Sequence, residues 1–174
     1  AIVDAGAVFV DNSSAFRMDE DVPLVVPEIN PEDALRHHGV IANPNCSTII
    51  TMVAVNGIQR VSPIEAMVAS TYQAVSGAGR EGIDELEAQI AADVQGADVE
   101  THIFPCRIHK NVIPMIGDRL ENGYTTEEMK MQNEGRKIMH LPDLRVSCTC
   151  VRVPVVRSHS ISVSLHFDKH ISVQ

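Results

Sequence analysis

The sequence has 174 residues, 44% of them hydrophobic and only 3% aromatic, which is enough for one ordinary domain with an aliphatic core. Its 23 acidic residues outnumber its 14 basic ones, and the net charge of −9 argues against a nucleic-acid binder, which clusters basic residues. No apolar run reaches the roughly 20 residues of a membrane span, and the N-terminus lacks a signal-peptide pattern. We therefore expect a cytoplasmic protein with reduced thiols.

Short apolar runs separated by prolines and glycines make up the first part of the chain. Residues 7–10 predict a short buried strand, and residues 22–30 predict a second extended stretch that two prolines interrupt. Residues 31–38 predict a short helix with proline in its first turn and a glycine as its stop. The apolar run at 40–42 predicts the strand that leads into the next motif.

The sequence NPNCSTI at 43–49 places a cysteine where a strand turns into a helix. Pro44 cannot donate a backbone hydrogen bond and biases Asn43 to extended geometry, so the strand ends there. Apolar residues at 49, 50, 53 and 54 then predict one face of a helix. Cys46 faces the first N–H groups of that helix, whose dipole favours an anionic thiolate. A buried structural cysteine is the alternative.

The middle of the chain predicts a strand, a helix and a loop. Residues 64–75 are strand-prone and end in SGAG, which lets a backbone approach a ligand closely but is no dinucleotide fingerprint. A helix follows at 82–95. Residues 96–118 are loop-like, and their two histidines and one cysteine lack the paired-cysteine spacing of zinc sites, so we expect no metal. The inner face of the helix is expected at Ile83, Leu86, Ile90 and Val94.

The last part of the chain predicts one helix and two strands. Residues 125–139 form a helix that Thr125 and Glu128 close with a capping box. Strands follow at 145–155 and 158–168, and the second alternates apolar and polar residues as a half-buried antiparallel strand does. Helices and strands are mixed along the chain, so the predicted fold class is α+β.

His159 and Arg152 both fall on inward-looking positions of these last two strands. A partly buried imidazole at 159 would titrate near neutral pH and suit acid–base catalysis beside a thiol, although a satisfied core histidine is the alternative. Arg152 shares the parity of Val146, Cys148 and Cys150. It therefore needs an anionic partner, either an internal carboxylate or that of a ligand.

Two charged pairs lie on the helix at 125–139. Glu127 and Lys130 are three residues apart and can meet on one face, and so can Glu134 and Lys137. Such pairs are usually solvated salt bridges of small energy. The spacing does not favour either pair.

Five stretches resemble the aspartate-semialdehyde dehydrogenase family and occur in the family's order. They are DNSSAFRMDEDVPLVVPEIN, ANPNCSTI, STYQAVSGAG, NGYTTEEMKM and TCVRVPVVRSHSISV. Together they extend over nearly the whole chain. The Asn-Cys-Ser-Thr setting of the cysteine differs from the Gly-Cys-Tyr setting typical of the related N-acetylglutamyl-phosphate reductases.

The resemblance implies an α+β, glyceraldehyde-3-phosphate-dehydrogenase-like catalytic domain with a mixed, largely antiparallel sheet and helices on one face. A remnant of a Rossmann-type parallel sheet precedes it. Residues 1–45 would end the NADP-binding domain, and residues 46–174 would form a truncated catalytic and dimerisation domain that makes a homodimer or a dimer of dimers. The glycine-rich pyrophosphate turn is missing, so we expect an internal piece with negligible activity alone.

The implied reaction is the reversible, NADP-linked and phosphate-dependent oxidation of L-aspartate 4-semialdehyde to L-aspartyl 4-phosphate through a cysteine thioester, without metal. It serves lysine, threonine, methionine and diaminopimelate biosynthesis. By resemblance, the matched residues are catalytic (Cys46, His159, Gln73), substrate-binding (Gln73, Glu127, Arg152), phosphate-binding (Arg17, Lys130, Asn45) and nicotinamide-binding (Ser76, Gly77).

Two other functions stay open at this point. A Cys–His acyl hydrolase would use Cys46 and His159 without a nicotinamide and would leave Arg17 and Lys130 idle. A non-catalytic dimerisation module would use only the strands after residue 145, paired across a two-fold axis.

Overall fold

The computed structural model describes residues 1–169 and 171–172. By its contacts the chain forms two compact units. The first unit contains Ala1–Val68, Met129–Ser147 and the stretch from Val163 onward, and the second contains Ala69–Glu128 and Cys148–Ser162. This division does not test the domain boundary expected at residues 45 and 46, which stays a prediction. Residues 170, 173 and 174 of the predicted second domain lie outside the described residues.

The described residues form five strands, three α-helices and three short 3-10 helices. The strands are β1 (Phe9–Asp11), β2 (Val40–Ala42), β3 (Ile64–Gln73), β4 (Arg145–Arg152) and β5 (Ser160–Phe167). The α-helices are α1 (Cys46–Gln59), α2 (Gly79–Gln95) and α3 (Thr126–Met139), and the 3-10 helices are Val3–Ala5, Pro31–Arg36 and Val75–Ala78. Within residues 1–169 and 171–172, no helix is long and apolar enough to cross a membrane.

In the first unit, β1 and β2 form a parallel pair in which Val10 lies opposite Ile41. Both strands are predicted by the sequence, but Val10 is 64% exposed, so the expectation that β1 is buried is wrong. The stretch at 22–30 contributes one parallel bridge, between Leu24 and Ala42. Parallel pairing is typical of the sheet in nucleotide-binding folds. The buried cluster beside these strands consists of Leu24, Val26, Ala42 and Ile138.

Helix α1 follows the turn as predicted, but its buried face is not the predicted one. Ile50 and Val53 are exposed, whereas the buried side chains are those of Ser47, Thr48, Thr51, Met52 and Val55. Close packing against α3 explains the difference, because a Cβ added at Gly135 would lie 2.4 Å from Met52 Cε. Small and flexible side chains fit such a close approach better than branched ones.

A three-stranded sheet has β3 at its centre, in the order β4-β3-β5. The Asp168 N–H, just after β5, donates to the Pro63 carbonyl just before β3, at 3.3 Å, so these two strands are antiparallel. The Val153 N–H, just after β4, donates to the Gln73 carbonyl at the end of β3, at 3.0 Å, so that pair is parallel. The predicted α+β class with a mixed sheet is confirmed.

The capping box predicted at the start of α3 is confirmed. The Thr125 N–H donates to Glu128 Oε2 at 2.7 Å, and the Glu128 N–H donates to Thr125 Oγ1 at 3.3 Å. The other Glu128 oxygen accepts from the Cys150 N–H at 3.1 Å. Glu128 therefore joins the start of α3 to β4 within the second unit.

Helix α2 buries Ile83 and Leu86 as predicted, but Ile90 and Val94 are exposed, Val94 by 82%. Gln89 takes the inward position instead. Its Oε1 accepts from the N–H groups of Ile108 and His109, both at 3.0 Å, and its Nε2 donates to Glu85 and to the Glu100 carbonyl. The inner face is partly polar because it must satisfy the backbone of the 96–118 loop.

Charged side chains hold the same loop at a second place. The Asp93 carboxylate accepts from Lys110 Nζ and from Arg107 Nη2, each at 2.6 Å. The hydrogen bonds from Lys110 and Arg107 hold the pKa of Asp93 well below its usual range. The long loop is therefore fixed to α2 by buried polar contacts and by partly exposed ionic ones.

Replacing Gln89 by leucine should strongly destabilise the second unit. Two backbone N–H groups, one carbonyl and the Glu85 carboxylate would lose a buried partner, and each loss costs about 1–3 kcal/mol. We expect the free energy of unfolding in urea to fall by roughly 3–5 kcal/mol. Gln95→Leu, at the exposed end of α2, is the matched control and should change it by less than about 0.5 kcal/mol. Equal effects of the two variants would contradict the role assigned to Gln89.

Candidate functional site

Cys46 is the first residue of α1, immediately after the turn that follows β2, and it is exposed. Asn45 caps the helix, because its side-chain oxygen accepts from the N–H groups of Ser47 at 3.0 Å and Thr48 at 3.3 Å. The predicted strand-to-helix turn is confirmed. The exposed position rules out the alternative of a buried structural cysteine, and the nucleophilic role of the thiol stays a prediction.

Arg17 lies buried in the first unit with its guanidinium held on three sides. Nε donates to the Asn43 carbonyl at 2.9 Å, Nη2 donates to the Asn12 carbonyl at 3.1 Å, and Nη1 donates to Glu134 Oε1 at 3.1 Å. The predicted phosphate ligand is therefore rigidly placed beside the Asn43–Asn45 turn.

Glu134 is the partner of Arg17 that the sequence did not identify. Its side chain is 3% exposed, and its second oxygen, Oε2, accepts from the Asn45 N–H at 2.7 Å. Burial raises the pKa of Glu134, while the Asn45 N–H and the charges of Arg17 and Lys130 favour its ionised form. One carboxylate thus joins Arg17 to the residue before Cys46. The sequence pattern that could have indicated this role is the position of residues 127, 130 and 134 on one face of the helix.

Glu134 and Lys137 do not form the salt bridge that their spacing allows. Lys137 Nζ instead donates to the backbone carbonyls of Arg17 at 2.9 Å, Asp19 at 2.6 Å and Val22 at 2.8 Å. Burial lowers the pKa of Lys137. Both side chains of this second pair therefore act on the segment that carries Arg17.

In the second unit, Gln73 and Glu127 form a buried polar pair. Thr71 Oγ1 donates to Gln73 Oε1 at 3.0 Å, and Gln73 Nε2 donates to Glu127 Oε1 at 3.2 Å. These two bonds fix which end of the amide carries the oxygen. The amide at the end of β3 is therefore held in one orientation.

Arg152 and His159 both bind the backbone of Ala74 in the same unit. Arg152 Nη1 donates to the Ala74 carbonyl at 2.8 Å, and the Ala74 N–H donates to His159 Nδ1 at 3.0 Å. A Cβ added at Gly77 would lie 2.7 Å from Arg152 Nη1 and 3.6 Å from His159 Cε1. Glycine at 77 therefore leaves room for these two side chains. The Ser76 N–H donates to the Val156 carbonyl at 3.2 Å.

The surroundings of His159 favour a neutral imidazole. Burial lowers the pKa of His159, the charge of Arg152 lowers it further, and hydrogen bonding to the Ser158 backbone and the charge of Glu127 act in the opposite direction. The bond from the Ala74 N–H also requires an unprotonated Nδ1. The inward position predicted for Arg152 is confirmed, since its side chain is only 7% exposed, whereas His159 is half-buried and lies just before β5.

The structure thus gathers the predicted residues into two sets. The second unit brings together Gln73, Gly77, Glu127, Arg152 and His159. The first unit brings together Arg17, Asn45 and Lys130 around Glu134, with Cys46 following Asn45 in the chain. Joint action of the Cys46 thiol and the His159 imidazole stays a prediction.

Metal binding receives no support from side-chain clustering. Within the part of the chain that the structure describes, no three or more His, Cys, Asp or Glu residues lie close enough together to hold a metal ion. Cys148 and Cys150 are buried with their sulfur atoms 3.7 Å apart. Their inward position on β4 is the one that the strand parity predicts.

A family model described as the dimerisation domain of semialdehyde dehydrogenase matches residues 56–174. The chain belongs to the semialdehyde dehydrogenase family. A second family model, described as the NAD binding domain of semialdehyde dehydrogenase, matches residues 1–37. The predicted family is therefore confirmed, and both of its domain types are represented in the chain.

Individual semialdehyde dehydrogenases extend this likeness. The chain is 49% identical over 174 residues to the aspartate-semialdehyde dehydrogenase of Bacillus subtilis strain 168, covering 96% of this chain and 50% of the relative. The crystal structure of aspartate semialdehyde dehydrogenase II complexed with ASA from Vibrio cholerae has a TM-score of 0.95 and 47% identity, covering 97% of this chain and 51% of that one. That of the Candida albicans enzyme with NADP has a TM-score of 0.69 and 26% identity, covering 98% and 47%. The chain spans about half the length of these relatives.

Proposed function

We propose that this chain carries catalytic residues for the reversible, NADP-linked and phosphate-dependent oxidation of L-aspartate 4-semialdehyde to L-aspartyl 4-phosphate. The observation that supports it most is the buried set of the second unit, with Glu127 and Arg152 as opposite charges near the His159 imidazole. An amino-acid substrate carries an ammonium and a carboxylate, which these two side chains complement. The Vibrio cholerae relative complexed with ASA supports the same substrate.

Each substrate group has a suitable partner in this set. The Arg152 guanidinium would bind the substrate carboxylate through its planar fork, and the Glu127 carboxylate would accept from the substrate ammonium. Gln73, whose amide is already fixed by Thr71 and Glu127, would orient the bound aldehyde. Because these groups are buried, they would bind a charged ligand more strongly than surface groups could.

The Cys46 thiolate would attack the aldehyde carbon, forming a C–S bond, and the carbonyl oxygen would take a proton to give a thiohemiacetal. His159 would then accept the hydroxyl proton as a hydride leaves the same carbon, giving a thioester. A phosphate oxygen would finally attack the thioester carbonyl, and the thiolate would leave with its electron pair. Burial and the charge of Arg152 favour a neutral imidazole, and with Nδ1 accepting from the Ala74 N–H its proton lies on Nε2. Nδ1 is therefore the atom that would take the hydroxyl proton, in exchange for its hydrogen bond from Ala74.

Phosphate would be bound by Arg17, Lys130 and Asn45. The contacts of Arg17 within the described residues use three of its five N–H groups, which leaves two donors for an oxyanion. Two cations close to the first turn of α1 favour an anion there, as does the helix dipole. Local positive charge would therefore bind phosphate despite the overall charge of −9.

For the cofactor, the observation that bears on fit is the absence of a side chain at Gly77, beside Arg152 and His159. The Arg152 guanidinium occupies that space, so glycine at 77 brings Arg152 and His159 close to the backbone. By the family resemblance, Ser76 and Gly77 would lie beside the nicotinamide of NADP. When bound, NADP supplies the hydride acceptor. The Candida albicans relative was solved with NADP.

We also propose a homodimer formed through the catalytic domain, on the match to the dimerisation-domain model. In the biosynthetic direction the enzyme would reduce aspartyl 4-phosphate on the route to lysine, threonine, methionine and diaminopimelate. The cytoplasm would suit it, because an exposed thiol such as Cys46 stays reduced there.

The proposal is tested on the full-length protein by NADP reduction and by labelling of Cys46 with iodoacetamide. We expect NADPH formation to require both the semialdehyde and phosphate, and we expect the two together to slow labelling at least tenfold. Labelling of Cys106, which is also exposed, is the internal control and should not change. Phosphate-independent turnover without NADP would instead support an acyl hydrolase, and equal protection of both cysteines would overturn the assigned thiol.

A further inference from the structure

We propose that Glu134 is a positioning residue that holds the Arg17 guanidinium and the Asn45–Cys46 turn at a fixed separation. The proposal rests on the function proposed above, in which Arg17 binds phosphate. One carboxylate oxygen accepts from Arg17 Nη1 at 3.1 Å, and the other accepts from the Asn45 N–H at 2.7 Å. Glu134 would act through these two partners, without touching the reacting carbon.

Only a carboxylate can make both contacts of Glu134. Its two oxygens both act as acceptors, whereas the amide of glutamine has one oxygen and one NH₂ donor. In a Glu134→Gln variant, the NH₂ would face either the Arg17 guanidinium or the Asn45 N–H, and both of these are donors. Because the side chain is 3% exposed, water is poorly placed to relieve that conflict.

The fixed guanidinium has a consequence for the ligand. Among the residues that the structure describes, three acceptors take one N–H each from the Nε, Nη1 and Nη2 atoms of Arg17, which leaves one N–H on each terminal nitrogen. Two donors in a rigid plane match two oxygens of a phosphate. Without Glu134, the buried Arg17 charge would lack its carboxylate partner and would turn toward solvent, which removes the donors from that plane.

Lys137 fixes the backbone of the same residue. One turn further along α3, its ammonium donates to the Arg17, Asp19 and Val22 carbonyls. The side chain and the main chain of Arg17 are therefore held separately by two residues of one helix. This division of contacts indicates that Glu134 serves to orient the guanidinium, because the segment itself is already anchored by Lys137.

The experiment compares Glu134→Gln with Glu128→Gln in the full-length protein. Glu128 is the matched control, since it is also buried on α3 and also accepts from two separate groups, the Thr125 and Cys150 N–H groups. We expect Glu134→Gln to raise the KM for phosphate at least tenfold and the KM for the semialdehyde less than twofold. Glu128→Gln should lower the unfolding midpoint but leave the KM for phosphate within twofold of wild type.

A second readout does not depend on turnover. Inorganic phosphate should raise the unfolding midpoint of the wild type and of Glu128→Gln, but not that of Glu134→Gln. Should Glu134→Gln fail to fold, Glu134→Asp keeps both acceptors on a shorter side chain and should raise the KM for phosphate about threefold to fivefold. An unchanged KM for phosphate in the folded Glu134 variants, or an equal change in Glu128→Gln, would overturn the proposal. If the wild-type rate did not depend on phosphate, the proposed function would be overturned, and this inference with it.

Discussion

Replacing Cys46 by alanine in the full-length protein should reduce NADPH formation by at least about 10³-fold, because no other group could form the thioester. Cys46→Ser should be nearly as inactive, since a serine hydroxyl is a much weaker acid and nucleophile than a cysteine thiol. The measurement is the steady-state rate with saturating semialdehyde, phosphate and NADP. The unfolding midpoint should stay close to wild type, because the side chain is exposed.

Cys106→Ala provides the matched control for this loss. It removes an exposed thiol from the 96–118 loop, where the sulfur lies 3.7 Å from the Asn111 side-chain nitrogen. We expect its rate to remain within twofold of wild type. A Cys46→Ala protein that still forms NADPH at more than about one-tenth of the wild-type rate would exclude a covalent role for the thiol.

Local patterns in the sequence predicted the parts of the fold that depend on neighbouring residues. The turn before Cys46 follows from the proline at 44, and the start of α3 follows from Thr125 and Glu128 three residues apart. The inward position of Arg152 follows from the alternation along β4. In each case the deciding interaction lies within a few residues of the chain.

Contacts between distant segments account for the errors. Gln89 is buried on α2 because it binds backbone groups about 20 residues further along the chain, and no apolar periodicity could indicate that. Glu134 looked like half of a surface salt bridge, yet its partners lie 117 and 89 residues away. Charge spacing on a helix shows which side chains share a face. It does not show what covers that face.

The choice among candidate site residues came from the family resemblance and not from spacing. Spacing left the Glu127–Lys130 and Glu134–Lys137 pairs equivalent, and the structure shows that they differ in what they contact. Glu127 binds Gln73, whereas Glu134 and Lys137 hold the segment of Arg17. Glu127 and Lys130 would therefore bind the substrate and phosphate themselves, whereas Glu134 and Lys137 would act on the position of Arg17.

Arg152→Leu should lower kcat/KM for the semialdehyde by roughly 10²–10⁴-fold, because removing one partner of a buried charge pair costs about 3–5 kcal/mol. Most of the loss should appear in the KM for the semialdehyde, and the KM for phosphate should change little. Loss of the Arg152 charge should also raise the pKa of His159, since that charge lowers it. The acid limb of the pH–rate profile should therefore move to higher pH.

Arg152→Lys separates the charge of this residue from its shape. Lysine keeps a positive charge near His159 but loses the planar fork, so we expect a large rise in the KM for the semialdehyde with the acid limb close to its wild-type position. Leucine removes both the charge and the planar fork, so it should raise the KM for the semialdehyde and also move the acid limb. If the acid limb moved equally in the two variants, the charge of Arg152 would not be what lowers the pKa of His159. If neither variant raised the KM for the semialdehyde, the substrate carboxylate would have to bind elsewhere, and the buried Arg152 would be structural.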